Sequence, residues 1–61
     1  MFYMFILMSS GWHCKEVESV RAAAEDAQIF IEGGDTVAFG DDVGYFAEQM
    51  KIREDEIKMV D

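Results

Sequence analysis

Residues 1–11 read MFYMFILMSSG. Eight apolar residues, Met1 to Met8, stop at Ser9-Ser10-Gly11, a turn-forming triplet. Both parities of the run are apolar, with Phe2, Met4, Ile6 and Met8 on one and Tyr3, Phe5 and Leu7 on the other. A strand with one wet face alternates apolar and polar residues. This one does not, so Phe2–Met8 is predicted to be a central strand. A membrane span needs about 20 apolar residues. A secretory leader needs a basic start and a small-residue cleavage site, and here the first basic residue is Lys15.

Outward from that strand, Trp12–Glu18 has two readings. It is the second arm of a hairpin turning at Ser9–Gly11, or it begins a long helix, since Val17, Val20, Ala24, Ala27 and Ile31 recur at spacings of three and four. The hairpin is preferred. Ser19 then caps a helix over Val20–Glu32, with Val20, Ala23, Ala24, Ala27, Phe30 and Ile31 facing inward and Gly33-Gly34 ending it. Ile29 falls outside that stripe, as an exposed hydrophobe. Thr36–Phe39 reads as a short strand. Asp41 or Asp42 caps a second helix to about Lys51, with Val43, Phe46, Ala47 and Met50 inward, weakened by Gly44. Ile52 closes the core, Arg53–Glu56 is a charged connection, and Ile57–Val60 is a last strand. The expected fold is α+β: one domain, residues 1–61, with a single sheet of about four strands. Its order is β-β-α-β-α-β, or β-α-β-α-β if Trp12–Glu18 is helical. Both helices are expected on one sheet face, through right-handed crossovers.

The 61 residues make 7.0 kDa. Area scaling gives such a chain roughly 4,000 Å² of folded surface, and a core that small gains from a staple. Cys14 is the single cysteine, so no disulfide closes within the chain. A free thiol fits a reducing, cytoplasmic setting. Cys14 and His13 are the only soft ligands, short of the four a structural zinc takes. Oligomerisation, most simply a homodimer, is the staple left. Thirteen acids against five bases give a formal charge of −8. That charge repels nucleic acid and anionic membranes and attracts basic protein surfaces.

No motif points to catalysis, a metal or a cofactor. A cysteine nucleophile needs a base beside it; His13 and Cys14, as strand neighbours, point to opposite faces. Phe39-Gly40-Asp41-Asp42 resembles the acidic metal loop of haloacid-dehalogenase-type phosphatases, but those enzymes also carry an early nucleophilic aspartate, and no Asp precedes Asp26 here. A calcium loop started at Asp35 would place Val37, Phe39 and Phe46 at ligand positions, which fails. Gly33-Gly34 follows a helix, whereas phosphate loops precede one. Glu54-Asp55-Glu56 reads as a solvated charge run.

What remains is surface. With both helices on one face, the other exposes part of the first strand, and a patch that apolar is rarely left in water. Tyr3, Phe5, Leu7, Trp12 and Ile29 are therefore the candidate interface. Glu25, Asp26, Glu32, Glu48, Glu54, Asp55 and Glu56 are the candidate acidic surface, where spaced carboxylates stand in for phosphates as in DNA mimics. In size and acidity the chain resembles the small accessory proteins with which phages inhibit host enzymes and defences. The expected function is a non-enzymatic protein-binding module, an inhibitor or adaptor acting on a basic, nucleic-acid-binding type of protein surface. The alternative is a homodimeric assembly protein that associates through its first strand.

Overall fold

The computed structural model describes residues 1–60. β1 (Phe2–Met8) and β2 (Gly11–Val17) form an antiparallel hairpin, with Phe5 opposite Cys14 and Leu7 opposite Trp12. Gly11 leaves the turn at φ +112°, a conformation that costs a glycine little. That settles Trp12–Val17 as strand. The helical spacing seen there belongs to α1 (Val20–Glu32) and happens to extend backwards into β2. α1 is followed by β3 (Thr36–Gly40), α2 (Val43–Met50), a 3-10 turn over Glu54–Glu56, and β4 (Lys58–Val60). The result is an α+β fold of order β-β-α-β-α-β with one four-stranded sheet.

Caps fix the helix ends. Ser19 Oγ accepts from the Ala22 N–H at 3.0 Å, and Asp42 Oδ1 accepts from the Tyr45 N–H at 2.9 Å. After α1, Asp35 N–H donates to Phe30 O and Gly34 N–H to Ile31 O. This is the Schellman pattern, with Gly34 left-handed at φ +96°. α2 closes in the same way, through Ile52 N–H to Ala47 O and Lys51 N–H to Glu48 O. There the left-handed residue is Lys51, at φ 59°. A side chain costs free energy in that region and glycine does not. Lys51→Gly is therefore expected to stabilise the protein by about 0.5–1 kcal/mol net of glycine's extra freedom when unfolded. A higher urea midpoint at unchanged slope is the readout.

The sheet order is β3-β1-β2-β4. β1 is central, as its two apolar parities require. β3 pairs antiparallel with β1, and β4 pairs parallel with β2. The helices occupy opposite faces, which corrects the expectation of one shared face. Met4 and Ile6 pack with Ala23 and Ala27 of α1. Phe5, their neighbour on the opposite parity, packs with Phe46 and Ala47 of α2. The reason is topological. β2-α1-β3 crosses β1 toward one edge, and β3-α2-β4 returns across β1 and β2 to the other. When the direction reverses, crossovers of one hand must use opposite faces.

Each face thus has its own core. On the α1 side the alanines let the helix sit close, and Met8, Val17, Phe30, Val37 and Phe39 surround them. On the α2 side Phe5 and Phe46 stack at 3.8 Å between ring centroids, and Trp12 meets Phe46 edge-on at 5.0 Å. Cys14, Ile57, Tyr3, Val43 and Ile52 complete that layer. The protein exposes 4365 Å², close to the scaling value for its mass. No helix among the described residues is long and apolar enough to cross a membrane.

Candidate interaction surface

The five residues expected at an apolar interface do not form one continuous exposed patch. Phe5 is fully buried beneath Phe46, because the face expected to be open carries α2. Tyr3 and Trp12 are half-buried against the same core. Leu7, beside Trp12 across the hairpin, is 39% exposed. Ile29 is 66% exposed, but it lies on α1, across the sheet from the others. There it lines a groove of about 470 Å³ with Ile6, Met8, Phe30 and Val60, rimmed by His13, Lys15 and Asp26.

The expected acidic surface is likewise divided by the sheet. Glu25, Asp26 and Glu32 ride on α1; Glu48, on α2, and Glu54, Asp55 and Glu56, on the 3-10 turn, belong to the other side. Several have local partners. Asp26 is 3.6 Å from Lys15 Nζ, and Asp55 is 2.7 Å from Arg53 Nη2. Glu56 Oε2 accepts from the Arg53 N–H at 2.9 Å. Glu32 accepts from the Gln28 amide at 3.2 Å. Glu54 folds back over Gly44: its Oε1 is 3.1 Å from where a Cβ on Gly44 would sit, and Asp42 Oδ1 is 3.3 Å from it. A glycine that weakens α2 thus makes room for two carboxylates.

Cys14 and His13 point apart, as strand neighbours must. Cys14 is buried in the α2-side core, and burial pushes its thiol up, away from the thiolate. His13 faces the α1 side, and its Nε2 lies 2.9 Å from Ser10 Oγ in the hairpin turn. Among the described residues no other side chain hydrogen-bonds His13.

Two features escape a reading by local pattern. The first is an acidic end of the sheet. Pairing sets Glu16 and Gly40 on either side of Tyr3. Glu16, Glu18 and Asp41 then rim an open hollow of about 760 Å³ over Met1, Phe2 and Val17. The second is the outer edge of β3. β3 bonds only to β1. Among the described residues no side-chain hydrogen bond and no further backbone bond reaches Thr36–Gly40. Strand order decides both features, and it requires knowing which strands pair at long range. Comparison with protein-family models, with curated proteins and with solved structures finds no match for this chain.

Proposed function

We propose that this protein is a small acidic protein-binding module, an inhibitor or adaptor that engages a basic surface of its partner, of the kind nucleic-acid-binding proteins present. The observation that carries the reading is the surplus of uncompensated carboxylate. The formal charge is −8, and among the described residues only Asp26 and Asp55 have an ion-pair partner. Carboxylates lie on both helices, on the 3-10 turn and at one end of the sheet, so a basic partner is attracted from most directions and held by whichever part fits. Phage accessory proteins that block host enzymes are the natural class for such a molecule. Self-association through β1 loses its basis, because that strand is paired on both sides and covered on both faces.

The test is capture of partners from nuclease-treated lysate, followed by affinity measurement with each purified candidate at about 50 mM and 500 mM salt. A single basic protein whose binding weakens steeply with salt is the expected result. Salt-indifferent binding, or recovery of the bait alone, would overturn the reading.

A further inference from the structure

A sheet edge is a row of unpaired N–H and C=O groups, and folded proteins protect such rows. The two edges of this sheet differ in that respect. β4 has three residues and carries Lys58, both of which discourage pairing. β3 has five residues, TVAFG, without charge or proline.

The helix above it makes the same point independently. Asp26, Ile29 and Phe30 turn toward the β2–β4 side, where they line the groove. By helical spacing the opposite flank of α1, with Val20, Ala24 and Ile31, overhangs the β3 side. Val20 is 47% and Ile31 50% exposed, although the apolar stripe assigns them inward. The apolar face of α1 is therefore wider than the sheet beneath it. One more strand beside β3 would put apolar side chains under that overhang.

Charge says what kind of strand. Asp35 and Asp41 flank β3, each three residues from Ala38. A second copy pairing antiparallel about Ala38 would set Asp35 against its partner's Asp41 at both ends, and like charges placed opposite are destabilising. A strand with basic ends meets attraction at both.

We propose that the outer edge of β3 is a docking site for an extended segment of a partner protein, which adds a fifth strand through main-chain hydrogen bonds and carries an apolar, β-branched centre flanked by Lys or Arg. The inference rests on the protein-binding reading above and names its mode of recognition.

The probe is a synthetic nonapeptide with two lysines at each end of an alternating valine-threonine centre, titrated into ¹⁵N-labelled protein. Amides of Thr36–Gly40 are expected to shift, and the outward-facing ones to exchange about tenfold more slowly. A peptide with glutamates for lysines should not bind. The double variant Asp35→Asn/Asp41→Asn leaves the Asp42 cap intact. It should bind the lysine peptide roughly two- to thirtyfold more weakly, the range for two exposed charge pairs. Salt-sensitive binding that shifts amides around Glu16 and Glu18 and spares β3 would overturn the docking site while leaving the protein-binding reading standing. So would β3 protection that grows with protein concentration alone, together with a doubled mass, since the edge would then belong to a second copy. No binding at millimolar peptide would also overturn it, and the lysate capture would still judge the broader reading separately.

Discussion

Phe46→Ala is expected to leave the chain largely unfolded at 25 °C. Phe46 is buried and is the main attachment of α2 to the sheet, stacked on Phe5 at 3.8 Å and met edge-on by Trp12. Truncating a buried phenylalanine costs about 3–5 kcal/mol in lost transfer energy and cavity. A core in a chain this short supplies about 3–5 kcal/mol in all. The loss is therefore comparable with the total. Trp12 is the only tryptophan, so its emission reports the layer directly. Red-shifted emission without denaturant and a lost cooperative thermal transition are expected. Phe46→Leu, of similar character, should stay folded at a cost of about 1–1.5 kcal/mol. A wild-type midpoint for Phe46→Ala would mean that α2 does not sit on Phe5.

On the other face, Ala23→Asp is expected to be at least as damaging. Ala23 is buried against Met4 and Ile6. A carboxylate there would be set among the apolar side chains of Met4, Ile6, Val37 and Phe39. Its charge costs several kcal/mol even after relaxation, again the whole margin. The remedy for such a group is protonation, so its folded-state pKa rises above the unfolded value of about 3.9. The unfolded chain then holds fewer protons than the folded one between those two values. Stability of the variant relative to wild type is lowest at neutral pH and recovers as pH falls through the raised folded pKa. Urea titrations at pH 7 and pH 4.5 test this. The adjacent Ala24→Asp is the control. Ala24 falls on the apolar stripe in sequence but is exposed in the structure, so its replacement should cost within about 1 kcal/mol. Equal damage from both variants would refute the placement of α1.

These two residues also show where reading the sequence succeeds and fails. The Ser19 cap, the Gly33-Gly34 stop and the doubly apolar β1 are local signals with local causes, and the structure has α1 over Val20–Glu32 and β1 in the centre. The same doubly apolar β1 already implied a cover on each face. Phe5 and Ile6 can both be buried only if something lies above and below, so two helices on one face leave half the strand wet. With α2 on the second face, Phe5 is core and not interface. Val20 and Ile31 depart from the inward face for a different reason. Helical periodicity tells which residues share a face but not how wide the surface under that face is. The β3 edge and the acidic end depend on strand order. That order is set by pairings between residues far apart in sequence, such as Met4 with Phe39 and His13 with Lys58.

The pairing of His13 with Lys58 bears on assembly of the chain in time. The β1–β2 hairpin needs only a tight turn and can close within about 1–10 µs. β4 joins β2 only after two helices and a strand have been laid down between them, with the loop-closure cost that implies. It is held by three paired residues, all exposed, and by Lys58 Nζ donating to Ser10 O at 3.0 Å. β4 is therefore expected to arrive last and leave first, with faster amide exchange at Lys58–Val60 than in the hairpin, β3 and α1. Both rims of the sheet turn hydrogen-bonding groups outward, and they differ in permanence: the β4 rim is expected to breathe while the β3 rim stays fixed.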